Sequence, residues 1–285
     1  MSEKIEACRN PLYESTSTST WSHMKISRTN MTLRSQEYWR PPIFKKAVSP
    51  FDFFTANCRR FIDLQAGSLW KDLKMILPTI KGSILDVGCG AQPYRELVPE
   101  GVNYLGIDTA DANEQFGYEV PNTLYFVGTE WPIDSESFDN ILCTETLEHL
   151  SDPKVLLLEA NRVLKKGGQL IATVPFAARW HYIPHDYWRY TPSSLKMLLG
   201  SCGFDSVEVY ARGNQVTVAC YKVMALFLPL LLPQDKSFII SLLCRLAGAL
   251  LVPVFLLLAF IANLSLNGKG GDDCLGYTIL CRKQE

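Results

Sequence analysis

Hydrophobic positions along this chain fall into two periods, and the change between them marks its organisation. Phe54, Cys58, Phe61, Ile62, Leu69, Leu73 and Ile76 recur at helical spacing and predict one or two amphipathic helices running up to Pro78. Such helices could cap a site or cover a sheet edge. Between residues 83 and 175 the pattern changes to short β-branched apolar runs separated by helix-like segments. It predicts strands at 83–87, 103–107, 123–127, 138–143 and 169–174, and a helix over 152–164 that ends at Lys165-Lys166-Gly167-Gly168. Strands that are apolar at nearly every position, alternating with helices, imply a parallel sheet covered on both faces. In such doubly wound α/β sheets ligands lie at the carboxyl ends of the strands. Residues 1–40 follow neither period and, with a Ser/Thr run at 15–20, read as a flexible tail; 41–80 form the helical lead-in or cap.

Charge and cysteine usage narrow the function classes. The 285 residues carry 28 basic and 29 acidic side chains, a net charge of -1, and 47% are hydrophobic. That length can bury a sizeable core, and a near-neutral chain without a Lys/Arg block argues against a nucleic-acid partner, whose binding rests on phosphate neutralisation. Cys8, Cys58, Cys89, Cys143, Cys202, Cys220, Cys244, Cys274 and Cys281 lie far apart with no Cys-x-x-Cys pair or Cys/His cluster. Neither a disulfide framework nor a metal site is expected, and a reducing compartment fits. The first thirty residues hold acids, Pro11 and the Ser/Thr run in place of a basic start and an apolar core. They do not read as a secretory signal, which places the chain in the cytosol or on the cytoplasmic side of a membrane.

The first predicted strand runs into Ile84-Leu85-Asp86-Val87-Gly88-Cys89-Gly90-Ala91, ahead of a helix-like stretch at 92–97. Two glycines let the backbone turn tightly and approach a ligand, and a helix N-terminus beyond them would present free N–H groups. A lone Gly-x-Gly is weak evidence. It gains weight from Asp108, which ends the next strand 20 positions after Gly88 and could accept hydrogen bonds from both hydroxyls of a ribose.

These residues, with Trp131-Pro132-Ile133-Asp134-Ser135-Glu136-Ser137-Phe138-Asp139, Glu145-Thr146-Leu147-Glu148-His149-Leu150 and Asn161-Arg162-Val163-Leu164-Lys165-Lys166-Gly167-Gly168, resemble the class I S-adenosylmethionine-dependent methyltransferases over about residues 80–212. The resemblance implies a Rossmann-like, doubly wound, mostly parallel seven-stranded sheet and S-adenosylmethionine as cofactor. It implies that Asp86, Gly88, Cys89 and Gly90 border the methionine part, that Asp108 binds the ribose, that Thr129, Glu130 and Trp131 border the adenine, and that Cys143 and Thr144 face the methionine end. Where the family often has an Asp before the Trp-Pro pair, this chain has Gly128-Thr129-Glu130.

The implied reaction is an in-line displacement at the sulfonium methyl, which needs an aligned nucleophile and, for a hydroxyl, removal of its proton. The run from Arg179 to Pro192 gathers His181, His185, Asp186, Trp180, Tyr187, Trp188 and Arg189 after the fifth strand, where loops select substrates in this architecture. His181, His185 and Asp186 are candidates for a general base with its orienting carboxylate; the alternative is that His185 and Asp186 hold the loop while the aromatics wall the pocket. His149 could serve as base but is read as a pocket-lining residue, together with Trp180, Tyr187 and Arg189 as acceptor contacts.

The resembled fold closes with two antiparallel strands, here 206–212 and 275–282, and residues 213–274 between them are far too many for a hairpin loop. Residues 238–262 are apolar except for Ser241, Arg245, Gly248 and Pro253, which would pass for a membrane span. Strands of one sheet on either side require an even number of crossings, and the partner stretch 221–233 is short for a span. A re-entrant pair broken near Pro253, or helices lying in the interface with Arg245 and Lys236 at the headgroups, are the arrangements expected; packing over the soluble domain or against a second copy is the alternative. The sequence therefore describes a methyltransferase core at 81–212, a membrane-associating insertion at 213–274 and a last core strand at 275–285. The expected acceptor is an oxygen of a lipid-linked or glycan-type molecule, with a membrane-dissolved quinone-like ring, or a non-catalytic cofactor-binding membrane module, as alternatives.

Overall fold

The structure, a computed structural model, describes residues 49–111, 120–181, 185–231, 237–269 and 271–285. The expected tail at 1–40 and the start of the lead-in lie outside the described residues.

Among the described residues, two helices precede the sheet. Helix α1 (Pro50–Ile62) starts at a capping box in which Ser49 and Asp52 satisfy each other's backbone N–H groups, and α2 (Leu64–Ile76) is capped by Asp63. Helix α2 turns its apolar stripe to the core through Leu69 and Leu73 against Ile80, Ile84 and Tyr104, whereas α1 reaches a core through the partly buried Phe61. No residue of α1 is buried, and Phe51, Phe53 and Phe54 stand in the open. The helical period was thus the right sign of a helix, but Phe54 and Cys58, expected on a packed face, are exposed.

Seven strands follow: β1 (Ser83–Val87), β2 (Asn103–Thr109), β3 (Thr123–Phe126), β4 (Phe138–Thr144), β5 (Leu164–Pro175), β6 (Phe204–Arg212) and β7 (Gly276–Lys283). They form one sheet in the order β3-β2-β1-β4-β5-β7-β6. Strands β1 to β5 pair parallel, and β7 enters antiparallel between β5 and β6. Helix α3 (Pro153–Val163), capped by Asp152, covers one face through Leu156, Leu157, Ala160 and Val163. Helix α4 (Pro192–Ser201) begins at a Thr191/Ser194 capping box and buries Leu195 and Leu199 beside it.

Two local expectations change. Lys165-Lys166-Gly167-Gly168 belongs to β5, whose register against β4 slips from Phe138↔Leu164 to Asn140↔Gln169 across the glycines. Residues 92–97 are not an α-helix: Gln92 sits at φ 54 and only a 3₁₀ turn, Arg95–Leu97, follows. A left-handed residue ahead of Pro93 cannot start a helix, so the site has no helix dipole behind its glycine turn.

The chain from β6 to β7 is an α-hairpin. Helix α5 (Gln215–Leu231) and helix α6 (Phe238–Ser265) pack together, so closely at Gly248 that a Cβ there would lie 3.0 Å from the Leu230 carbonyl carbon. Its root is a core of its own, in which Val218, Cys220 and Met224 of α5 meet Phe255, Ala259 and Ala262 of α6, Leu64 of α2 and Leu275. Helix α6 continues through Pro253, so the break expected there is absent; the bond lost at the proline does not end a helix held on both sides by packing.

Candidate functional site

The carboxyl ends of β1, β2, β4 and β5 bring the chemistry-bearing residues to one edge, in two halves. The first lies over β1 and β2. Asp86 is buried, accepts a 2.6 Å hydrogen bond from the Tyr104 hydroxyl on Oδ2, and leaves Oδ1 with no partner among the described residues. Burial pushes its carboxyl up to about 7, against the pull of Tyr104. Gly88 turns at φ 65, and a Cβ there would strike Thr146 at 2.6 Å. Gly90 donates its N–H to Asp108 Oδ2 at 2.9 Å, and Thr109 donates to Oδ1 at 2.8 Å. Each Asp108 oxygen keeps a second lone pair for an outside donor. Burial lifts this carboxyl while the two N–H groups pull it down.

The second half lies over β4, β5 and β6. Glu145, at φ 48, donates its N–H to Thr173 O at 3.0 Å and accepts from Arg212 Nη2 at 2.8 Å. Arg212 is buried, also donates to Val174 O at 3.1 Å, and leaves Nε and Nη1 without partners among the described residues. A 3₁₀ turn, Leu147–His149, carries Glu148, wholly buried with neither carboxylate oxygen hydrogen-bonded among the described residues. Burial first, and Glu145 second, hold its carboxyl well above the ordinary range. His149 Nε2 lies 3.6 Å from Glu148 Oε1, its Nδ1 donates to the carbonyl of His185, and burial keeps the ring below its usual pKa.

The aromatic loop is laced onto this turn. Tyr187 donates its N–H to Glu148 O at 2.8 Å, Trp188 Nε1 to Leu150 O at 2.7 Å, and the Tyr190 hydroxyl to Leu147 O at 3.1 Å. Asp186 takes Arg189 Nη1 and Nη2 at 2.5 and 2.7 Å and His181 N–H at 3.0 Å. A cleft of about 300 Å³ opens between Ala178, Trp180, Asp186, Tyr187, Trp188 and Arg189.

A buried carboxylate with one free oxygen beside a glycine turn, and a second acid in the next strand, fit a cofactor that brings a cationic amine and a ribose. Residues 85–172 match the family model of the Methyltransferase domain. The chain carries an S-adenosylmethionine-dependent methyltransferase domain. Among curated proteins, the Ubiquinone biosynthesis O-methyltransferase of Ruegeria sp. is 28% identical, the match covering 60% of this chain and 79% of that protein. The protein of the same name from Cereibacter sphaeroides is 27% identical with the same coverage. A solved S-adenosylmethionine-dependent methyltransferase from Archaeoglobus fulgidus superimposes at a TM-score of 0.47 and 18% identity, over 81% of this chain and 100% of that one.

In this methyltransferase the expected cofactor residues divide by side-chain direction. Asp86, Gly88, Gly90 and Asp108 lie together at the carboxyl ends of β1 and β2, with Gly90 N–H bonded to Asp108, and Thr129 and Glu130 are exposed beyond β3. Cys89, Cys143 and Trp131 turn their side chains into the protein: Cys89 Sγ lies 3.8 Å from Thr123 Oγ1, and Cys143 and Trp131 belong to the main core. They offer the cofactor site backbone only. Thr144 ends β4 beside them, half-buried.

Of the two candidate bases, His181 is the one that meets the Asp186 carboxylate. Asp186 faces His181, with Oδ2 3.2 Å from Nδ1, and Arg189, while His185 stacks at 5.3 Å on Tyr187 and gives its carbonyl to His149. The histidines that meet are His149 and His181, edge to face at 5.0 Å. Arg189, read as an acceptor contact, clamps Asp186 and also lines the cleft, together with Trp180 and Tyr187. Sequence reasoning missed Glu145, Tyr104 and Arg212, and left Glu148 as a mere neighbour of His149. The i, i+3 spacing of Glu145 and Glu148 was a visible signal; an arginine ending a late strand was not.

Proposed function

We propose that this methyltransferase methylates a hydroxyl oxygen of a membrane-held acceptor, with its α5–α6 hairpin embedded in one leaflet. The observation that carries the reading is the place where the hairpin leaves the core: α5 starts three residues after Arg212, at the edge of the sheet that carries the site. Beyond its packed root the hairpin exposes Leu226, Phe238, Ile239, Leu243, Leu246 and Leu250, a surface costly to leave in water at about 1.5–3 kcal/mol per large side chain. Strands β6 and β7 are neighbours, so the chain leaves and returns on the same side. From Phe238 to Val254, before the packed root, α6 reaches about 25 Å, less than the roughly 30 Å hydrocarbon core, which suits entry without crossing. Arg245 is the one charged residue of α6.

S-adenosylmethionine supplies an electrophilic methyl on sulfur. For the rest, Asp108 would take the cofactor's ribose hydroxyls and Asp86 its methionine part, as the resemblance implies, the free Oδ1 of Asp86 suiting the methionine amine. The acceptor enters along Trp180, Tyr187 and Trp188, and its oxygen loses its proton at the cluster of Glu148, His149 and His181, directly after Thr146, which touches the glycine turn. Of the acceptors expected from the sequence, a ring such as a quinone precursor suits this aromatic cleft better than a glycan, and the names of the matched relatives favour it. The test is transfer of labelled methyl from S-adenosylmethionine into membrane extracts. Label in an organic-soluble aromatic product is expected; label confined to water-soluble glycan or to protein would overturn the acceptor assignment. Flotation with phosphatidylcholine/phosphatidylglycerol vesicles should be lost in Leu243→Glu/Leu250→Glu while cofactor binding persists. Unchanged flotation would refute the embedded hairpin.

A further inference from the structure

The geometry points to a divalent-cation site formed by Glu148, His149 and His181. One ligand atom from each lies within 4.8 Å of the others, slightly wider than the roughly 4.4 Å that ligands at about 2.2 Å around one ion can span, so a small inward shift of the side chains would close the site on a cation. The histidines are 32 positions apart in sequence and reach the same point from the turn after β4 and the loop after β5.

Both rings are held as ligands usually are. His149 donates Nδ1–H to the carbonyl of His185, and His181 Nδ1 lies 3.1 Å from Arg179 O and 3.2 Å from Asp186 Oδ2. A proton fixed on Nδ1 leaves Nε2 with its lone pair, the arrangement in which a backbone carbonyl or carboxylate orients a metal-binding imidazole. Asp186 is fixed in turn by the two-toothed contact with Arg189.

Glu148 is the independent observation. Its side chain is completely buried, yet neither oxygen has a hydrogen-bond donor among the described residues, and the nearest base is His149 Nε2 at 3.6 Å. Buried carboxylates without donors are rare because desolvation is uncompensated, and coordination to a cation is one of the few remedies. Two imidazoles and a carboxylate select a borderline ion such as Zn²⁺, Mn²⁺, Fe²⁺ or Co²⁺ and leave coordination positions open. Resting on the methyl-transfer reading, the cation's role would be to hold the acceptor oxygen and lower the pKa of its hydroxyl, whose proton passes to solvent; the oxygen then attacks the methyl carbon, the O–C bond forming as the C–S bond breaks and S-adenosylhomocysteine leaves.

The test uses the untagged full chain in detergent, stripped with chelator and titrated with Mn²⁺ alone while the free-ion electron paramagnetic resonance signal is followed; Zn²⁺ should then displace the bound Mn²⁺. One equivalent should bind, with affinity reduced at least 100-fold in His149→Ala and in His181→Ala and about tenfold in Asp186→Asn, whose role is orientation only. S-adenosylhomocysteine titration of each variant serves as the folding control. Absence of Mn²⁺ and Zn²⁺ binding in protein that binds S-adenosylhomocysteine would overturn the site and leave Glu148–His149 as a metal-free acid–base pair. Equal Mn²⁺ binding in both histidine variants would overturn it as well. Cation binding in protein that does not bind S-adenosylhomocysteine would support the site and sink the methyl-transfer reading instead, and transfer that survives chelation would remove the ion from the reaction.

Discussion

Replacing Glu145 by Gln tests the electrostatics of the site most sharply, because the two partners of its ion pair are buried so unequally. The Arg212 side chain is 1% exposed and that of Glu145 30%, with 2.8 Å between Nη2 and Oε1. Removing the carboxylate charge leaves a guanidinium sealed in the protein without its counter-ion, with only neutral oxygens, the introduced amide and Val174 O, to accept from it and with Nε and Nη1 already unpartnered among the described residues. Breaking a fully buried pair costs about 3–5 kcal/mol, and the partial exposure of Glu145 places this one near the low end, about 3 kcal/mol. In a chain of this size that corresponds to a fall in Tm of roughly 5–10 °C. Arg212→Met should cost less, about 1–2 kcal/mol, since the orphaned Glu145 can hydrate. The double variant should be more stable than Glu145→Gln alone, because it removes the stranded charge. Thermal unfolding followed by circular dichroism in detergent reads all three. If Glu145→Gln lost no more than Arg212→Met, or if the two losses simply added, the view of Arg212 as a buried charge dependent on Glu145 would be wrong.

The other predictions concern the cofactor half. Asp86 has a folded-state pKa raised from 3.8 to about 7, so the native protein binds more protons than the unfolded chain between those values. Stability without cofactor should therefore fall as pH rises through this window, by about 4 kcal/mol, and the fall should largely vanish in Asp86→Asn; Tm measured at pH 4.5 and pH 8 decides it. Calorimetry below pH 7 in buffers of different ionisation enthalpy should show proton release on S-adenosylmethionine binding, since a cationic amine would stabilise the Asp86 carboxylate. Asp108→Ala should abolish binding of S-adenosylhomocysteine in calorimetric titration, and retained affinity would remove it as the ribose residue. Gly88→Ala puts a Cβ 2.6 Å from Thr146 at φ 65, and its cofactor affinity should drop at least tenfold, with partial recovery in the Thr146→Ala background.

The strands, their order of appearance, the glycine turn and the acids at 86 and 108 were legible along the chain because each is a local pattern. Apolar runs repeat at strand spacing, glycines mark turns, and an acid at a strand end is a fixed number of residues away. The insertion too was visible, as an apolar stretch too long for the loop it occupies. What the chain could not declare was direction and partnership. Cys143 and Trp131 sit in the expected blocks, but the pleat and the core decide that their side chains point inward. The helix expected after Gly90 was lost to one left-handed residue at Gln92. Helix α6 runs unbroken past Pro253 because α5 and the core hold it on both sides.

The acceptor half was the least legible for the same reason. Asp186 and His185 are adjacent in sequence, yet Arg189 and His181 claim the carboxylate and the His185 ring turns to Tyr187. Glu148, His149 and His181 come together only when the loop after β5 is stitched to the turn after β4, and Arg212 reaches Glu145 only because β6 lies across β7 from β5. Local periodicity determines which elements form, since it depends on how a segment buries its own face. The chemistry of the site depends on contacts between residues 32 to 67 positions apart, and those exist only once the sheet has set its strand order and register.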